Sequence, residues 1–376
     1  MLNKINTKNG NGYQAVALYS GGTDSTVAAL LAKPVVGDNI LLLMIDLGCT
    51  EESIQQARKR AEILKMDFHV INGVKDFAQR FISEAIRMNG SYFGYPLGTP
   101  LGRAYMMEIA LDFLDKNSNI RRYIIHGCNA NQNTRFRIEK LCKSDQNIVA
   151  IGPLTTKKYT REEKCQILLN HNIPVTDGDN YAQDENIYCR ALEGDVFNNL
   201  ACIDENIYKI TCNPIDAPNE PEVISIGFKN GIPVSLNNAE MDLDEIIIKC
   251  RELGAKHGIG RIISLEDTIP ELGYKERGIY ESPASVILST AHQYLEGIIL
   301  NKTERLIKAD LDKKWSEIVY RGDWFGSDRK EISEFCKVFY EKTNGTVYLQ
   351  LYKGSVWILN ADVPNSLLIK DSHGAY

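Results

Sequence analysis

Two adjacent glycines at a strand-to-helix junction constrain this chain more than any other feature. The apolar run Ala15-Val16-Ala17-Leu18-Tyr19 meets Ser20-Gly21-Gly22-Thr23-Asp24-Ser25-Thr26, and helical spacing follows from Ser25 to Ala32. A buried strand that turns at once into a helix belongs to a βαβ unit, and hence to a parallel sheet. Gly21 and Gly22 let the backbone approach a ligand closely, and the helix N-terminus behind them favours an anion. Ser20, Ser25 and Thr26 add hydroxyl donors. The spacing is neither the GxxxxGK[ST] of a Walker loop nor the GxGxxG of a dinucleotide fold.

The alternation continues downstream. Asn39–Asp46 reads as a second buried strand, residues 51–66 as a helix with Ile54, Ala57, Ala61 and Leu64 on one face, and 68–71 as a third strand. A helix is expected over 100–115 and a fourth strand over 122–127. After about residue 175 turn-rich segments separate alternating stretches such as 223–228, and Lys353-Gly354 joins two strands as a hairpin. The expected organisation is an α/β parallel-sheet nucleotide-binding domain over 1–175 and an α+β domain over 176–376.

Composition removes several classes of function. Lys and Arg number 43 against 49 Asp and Glu, a net charge of −6, which disfavours a general nucleic-acid surface. The longest apolar run, Ile40–Ile45, is far short of the roughly 20 residues that cross a bilayer. Nine cysteines form no CxxC pair, so a zinc ribbon and a disulfide framework are both unexpected. With no signal-like N-terminus, the expectation is a reduced, cytoplasmic protein. Arg121-Arg122 and Lys157-Lys158 read as surface charge, no chemistry is evident in the helix over 161–170, and Asp46 is either an adenosine contact or a cap.

The segment Ser20-Gly21-Gly22-Thr23-Asp24-Ser25 resembles the SGGxDS signature of the PP-loop ATP pyrophosphatases. Further segments narrow the resemblance: Asp184-Glu185-Asn186-Ile187 leading to Glu193-Gly194, His257-Gly258-Ile259-Gly260-Arg261, Lys275-Glu276-Arg277-Gly278-Ile279-Tyr280-Glu281-Ser282-Pro283, and Leu351-Tyr352-Lys353-Gly354. From about residue 15 to residue 360 the chain resembles the argininosuccinate synthase family. The resemblance implies an adenine nucleotide alpha hydrolase-like first domain and a synthetase and oligomerisation domain. It implies an ATP-dependent, AMP-forming C–N ligase, with Mg²⁺ as counter-charge and no metal site built by the protein. A ureido oxygen attacks the α-phosphorus, and the amino group of aspartate then displaces AMP. Expected partners are small molecules (ATP, aspartate, a ureido acceptor) and further copies of the chain, without nucleic acid or membrane. A PP-loop tRNA-modifying enzyme and a degenerate ATP-binding regulatory paralogue are the rival readings. The sequence stops early for a family that usually extends into a C-terminal arm, which questions a tetramer.

Carried over residue by residue, the resemblance assigns ATP to Ala17, Tyr19, Ser20, Gly21, Gly22, Thr23, Asp24, Ser25, Thr26 and Gly127. The family pattern YLLGTSLARP appears as residues 95–104, giving Thr99 and Arg103 for aspartate and Tyr95 for the acceptor. HGATGKGNDQVRFE appears as residues 126–139, giving Asn133 for aspartate and Arg137 for the acceptor carboxylate, with Thr134 where the family has Asp. Two family serines fall on Ala182 and Ala191 and a family Tyr on Ser289, while Glu193 and Glu281 persist as carboxylates facing the acceptor chain. No covalent nucleophile is implied. Thr134, Ala182, Ala191 and Ser289 offer an α-ammonium fewer partners, so citrulline is expected to be a poor substrate, or none.

Overall fold

In a computed structural model of the chain, which describes residues 12–117, 119–143, 145–175, 181–269 and 273–368, β1 (Ala15–Leu18) sits at the centre of a parallel sheet. It pairs with β2 (Ile40–Asp46) on one side and β4 (Arg122–Ile125) on the other. β3 (Asp67–Asn72) lies outside β2, and β5 (Ile148–Ile151) outside β4, giving the order β3-β2-β1-β4-β5. Between them run α1 (Thr23–Val36), α2 (Glu51–Leu64), α3 (Val74–Phe77) and α4 (Ser83–Arg87) joined by a π-helical turn, α5 (Gly98–Phe113), and α6 (Asn133–Cys142). α7 (Arg161–Asn170) closes this half.

Period-two alternation divides the sheet between two cores. Ala15, Ala17, Leu42 and Met44 pack with α1 and α2 residues such as Val27, Ala57 and Ala61. Val16, Leu41, Leu43 and Ile45 face the other way, into a cluster that runs on through Leu101 and Tyr105 of α5 to Ile226, Leu288 and Val347. The second half is therefore packed against one face of the first, and the two share an apolar core.

That second half contains β6 (Ala182–Glu185), β7 (Arg190–Glu193), β8 (Glu222–Lys229), β9 (Ile232–Leu236), β10 (Ala239–Glu240), α8 (Leu243–Lys256), β11 (Arg261–Asp267) and β12 (Lys275–Glu281). α9 (Pro283–Ile299), α10 (Lys302–Tyr320), α11 (Ser327–Tyr340), β13 (Gly345–Tyr352) and β14 (Ser355–Asp362) follow. They form two antiparallel sheets, β10-β9-β8-β13-β14 and β11-β12-β7-β6. Lys353 and Gly354 both take positive φ (42° and 83°), as a two-residue hairpin turn requires. The boundary expected at 175/176 opens onto 176–180, outside the described residues.

Several local expectations need correction. α5 begins at Gly98 rather than Pro100, because a proline in the first helical turn lacks only an N–H that would be unpaired anyway. Arg122 is not surface charge. It is buried, with Nη2 2.6 Å from Asp145 and Nη1 donating to the Asp115 carbonyl at 3.1 Å, so it ties the ends of β4 and β5. Asp46 is a turn cap: its carboxylate accepts from the backbone N–H of Gly48 and Cys49 at 2.9 and 2.8 Å. All nine cysteines are free. No helix among the described residues is long and apolar enough to cross a membrane.

Candidate functional site

In an open parallel sheet, ligands bind beyond the C-terminal ends of the strands where the strand order reverses, here between β1 and β4. The glycine loop leaves β1 at that point and the loop after β4 meets it. The contact is so close that a Cβ on Gly127 would lie 2.8 Å from the backbone of Asp24 and Ser25.

The two loop glycines do different work. Gly21 has φ +74°, and a Cβ there would come within 2.5 Å of Ala57 on α2, so it is a structural glycine. Its carbonyl is held by the buried Arg60 guanidinium at 2.5 Å, which turns the peptide. Gly22 has ordinary extended dihedrals, and a Cβ there would meet only the Ser20 hydroxyl, at 3.3 Å. It is exposed at the mouth and caps α1 without a side chain, so the first-turn N–H groups of α1 remain turned to an incoming anion. Ser20 and Ser25 hydroxyls lie 3.2 Å apart, and Thr26 Oγ1 donates to the Gly22 carbonyl at 2.7 Å, fixing the turn. Thr23 opens α1 and Tyr19 is buried behind the loop, its hydroxyl 3.4 Å from Thr26 Oγ1. The Ala17 side chain faces the core, not the mouth. Asp24 Oδ1 accepts from Lys164 Nζ of α7 at 2.8 Å.

The residues assigned to aspartate come from two helices, α5 and α6. Leu97, in the left-handed conformation (φ 59°), precedes α5 and turns its first N–H groups inward. The N–H of Thr99 donates to the Tyr95 hydroxyl at 3.0 Å. One turn on, Arg103 Nη2 lies 3.1 Å from Asp184 of β6, and its buried Nε has no hydrogen-bond partner among the described residues. Asn133, the first residue of α6, is fully engaged. Its amide donates to the Tyr320 hydroxyl and the Asp267 carbonyl, and accepts from the Ile269 N–H at 2.6 Å.

Sheet parity decides which of the residues assigned to the acceptor share a face. In β11-β12-β7-β6, Tyr280 pairs with Ala191, Ala191 with Asp184, Glu193 with Ala182, and Glu266 with Glu276. All of these side chains lie on one face. Tyr95 stacks on Tyr280 with centroids 4.4 Å apart, and Tyr92 on Tyr320 at 3.8 Å. Tyr280 donates its hydroxyl to Glu266. Its phenol passes over Gly278, where a Cβ would collide with that hydroxyl at 2.0 Å. From α6 comes Arg137, buried, its Nε donating to the Tyr320 carbonyl at 2.8 Å and its guanidinium 4.9 Å over the Tyr320 ring. Arg137 Nη2 has no hydrogen-bond partner among the described residues. Thr134, beside it on α6, is also buried.

The carboxylates here are proton-hungry. Burial, then the neighbouring Glu193 charge, raises Glu266 to about 8 against the opposing pull of Arg137. Burial and Glu193 raise Glu276 to about 7. Glu193 is itself raised by burial and by Asp184, with Arg137 and Arg103 pulling it down.

Glu281, also assigned to the acceptor, does not share that face. One residue from Tyr280, it points to the opposite side of the sheet. There its carboxylate accepts from Arg190 Nη1 at 2.5 Å, the N–H groups of Lys209, Ile210 and Thr211, and the Thr211 hydroxyl. Burial pushes its pKa up, but these donors win and hold it below the usual value. Ser289 lies in the second turn of α9 and donates to the Val286 carbonyl at 3.3 Å. No hydrogen bond among the described residues links it to the pocket. Glu266, Tyr280, Glu276 and Lys164 lie beside the assigned residues and were not singled out from the sequence. A local signal existed for Glu276, two period-two steps from Tyr280 along β12, whereas Glu266 and Tyr280 join that face through cross-strand pairing.

A family model described as "Arginosuccinate synthase N-terminal HUP domain" matches residues 14–174, and "Arginosuccinate synthase C-terminal domain" matches 181–374. The argininosuccinate synthase of Methanocaldococcus jannaschii is 32% identical over 361 residues, covering 95% of this chain and 90% of that one. That of Methanopyrus kandleri is 32% identical, covering 94% and 90%, and that of Pyrococcus furiosus 33%, covering 94% and 85%.

Two measurements check this geometry. Gly21→Ala should lower the melting temperature, because the new Cβ meets α2 in an unfavourable φ, whereas Gly22→Val should melt normally yet lose ATP binding. Equal melting losses in both would show that the two glycines share one role. The raised carboxyls bind protons more tightly in the folded chain than in the unfolded one. Their contribution is therefore complete below about pH 4 and disappears as pH rises through 7 to 8. Glu266→Gln should thus melt higher than the parent at pH 9, by at least roughly 2 °C, with little difference at pH 5. A gain confined to pH 5 would contradict the assignment.

Proposed function

The chain belongs to the argininosuccinate synthase family of ATP-dependent carbon–nitrogen ligases, which release AMP and pyrophosphate, and from that premise we propose that it joins aspartate to a ureido acceptor bearing both a carboxylate and an ammonium: citrulline or a close analogue. The observation that carries this reading is the pairing of an unpartnered Arg137 Nη2 with a carboxylate cluster on the facing strands. An acceptor carboxylate complements the guanidinium, and an ammonium complements Glu193, Glu266 and Glu276. The expected shortage of ammonium partners rested on Thr134, Ala182, Ala191 and Ser289. In this reading Glu266 and Glu276, on the same sheet face as Ala182 and Ala191, supply the anions that those four positions lack. The family match over both halves leaves the tRNA-modifying reading without support, and the intact glycine loop does the same for a degenerate paralogue.

In this reading the loop 19–26 and the N-terminus of α1 cradle the ATP phosphates, with Gly127 holding the facing loop. Tyr95, Tyr280 and Arg137 orient the acceptor so that its ureido oxygen meets the α-phosphorus. Arg103 and Thr99 hold aspartate, with Asn133 keeping the end of β11 in place. No side chain forms a covalent intermediate. Orientation and charge complementarity supply the rate. Mg²⁺, which would screen the phosphate charge, fits the donor set: Asp24 offers one carboxylate at the loop and the phosphates offer the rest. No group of three or more metal-ligating side chains occurs among the described residues. The chain works in the cytoplasm as a homo-oligomer in this reading. The exposed apolar side chains Trp357, Ile358 and Leu359 on edge strand β14 are what a second copy would cover.

The ammonium has a direct signature. Glu266 holds its proton at pH 7, and an ammonium beside it displaces that proton. Citrulline binding should therefore release up to about one proton, measured by calorimetry in buffers of different ionisation heat, and the des-amino analogue should release none. Citrulline turnover with kcat/KM below roughly 10² M⁻¹s⁻¹, in an enzyme that still binds ATP and aspartate, would show a different acceptor. Labelled aspartate should appear in the product, and Arg103→Ala should reduce kcat/KM for aspartate at least about tenfold. Product without the label would remove aspartate from the reaction.

A further inference from the structure

Lys164 is the fourth residue of α7, a helix fixed at its start by a reciprocal capping box between Thr160 and Glu163. Unlike Lys157, whose ammonium sits in solvent paired with Glu163 at 2.8 Å, Lys164 is 9% exposed and runs inward. Its Nζ reaches two loops at once: Asp24 Oδ1 in the glycine loop at 2.8 Å, and Asn129 Oδ1 in the loop after β4 at 3.5 Å. These are the loops whose backbones touch at Gly127.

As a stabilising pair this arrangement is poor. The Asp24 side chain is 40% exposed, and a carboxylate in water gains little from a cation whose own hydration has been removed. The second partner is a neutral amide at the limit of hydrogen-bond distance, and an ammonium has a third N–H to place. What the position does supply is a fixed, partly dehydrated positive charge at the mouth of an anion cradle. Asp24 in the first turn of α1 faces the same cradle.

We propose that Lys164 is a phosphate-binding residue for the β and γ phosphates, and so for the pyrophosphate that leaves. This rests on the reading of the glycine loop as the ATP site. Asp24 keeps the ammonium paired and aimed in the free protein. On binding, a phosphate oxygen takes the ammonium. As the bond between the α-phosphorus and the bridging oxygen breaks, the electron pair stays with pyrophosphate, and Lys164 balances the added charge. The Arg60 guanidinium cannot do this, because it is occupied by the Gly21 and Pro174 carbonyls.

The test is binding of inorganic pyrophosphate, without metal, to the full chain by calorimetry at low salt. Lys164→Met should weaken binding at least about tenfold, the scale of one charge-assisted contact, while Lys164→Arg keeps most of it. Asp24→Asn should bind as well as the parent or tighter, since it removes an anion and frees the ammonium. The double variant Asp24→Asn with Lys164→Met decides between the roles. Under the proposal it is at least tenfold weaker than Asp24→Asn alone. If the two bind equally, Lys164 serves only Asp24 and the proposal is wrong. Should Lys164→Met fail to fold, Lys164→Gln and Lys164→Arg carry the same comparison. A parent protein that binds neither ATP nor pyrophosphate overturns the ATP reading itself, a result distinct from retained binding in Lys164→Met.

Discussion

A guanidinium cannot be buried alone, and the junction of the two halves is organised around that fact. Arg137 leaves α6 of the parallel-sheet half and ends among groups of the other half: the Tyr320 carbonyl and ring, and the charges of Glu193, Glu266 and Glu276. Removing any of these from water would be costly for each of them singly. Together the cation lowers the cost of any charge the acids carry, and the acids, two of which keep their protons near neutral pH, offset only part of the burial of the cation. Gly322, after α10, permits the approach, since a Cβ there would lie 2.9 Å from Arg137 Cγ. The halves are thus joined by a shared apolar core and by a charge cluster that is complete only when both are present.

The glycine loop was legible because its signal is local. A strand, two glycines, hydroxyls and a helix follow one another without interruption, and each obeys a short-range rule. The carboxylate cluster around Arg137 depends on which side of a sheet a residue faces, and a shift of one position reverses that. Glu281 and Tyr280 are neighbours in sequence, yet one is sealed by five backbone and side-chain donor groups from 190 and 209–211 while the other, on the opposite face, reaches Glu266. Family spacing alone gave no warning, whereas pairing Tyr280 with Ala191 and Ala191 with Asp184 separates them at once.

Arg122 and Lys164 were illegible for another reason. Each looks like ordinary surface charge in its own segment, and its burial comes from a partner 23 or 140 residues away. Helical periodicity marks where α7 lies but not which turn of it meets the glycine loop. That is set by the packing of α7 against α1 at the edge of the sheet. Long side chains reach several ångströms beyond their own element, so their role is fixed by topology before chemistry.

Cations at a cleft pose a problem in the free protein, since an unpaired charge in a half-dehydrated cleft opposes folding. The structure meets it with carboxylates of its own. Asp24 holds Lys164 at the phosphate loop, and Asp184, from the far half, holds Arg103 near the N-terminal turn of α5. Neither acid is buried as deeply as its site would allow: their side chains are 40% and 23% exposed. In the proposed reading of these sites, a substrate anion replaces either one by returning it to water, an exchange with no large desolvation cost. Arg137 follows the opposite scheme. Its neighbouring acids are deep enough for two of them to hold protons near neutral pH, which leaves the guanidinium electrostatically under-compensated and open to a carboxylate from outside. The same physics of burial yields exchangeable pairs at the rim and a proton-linked pocket at the centre.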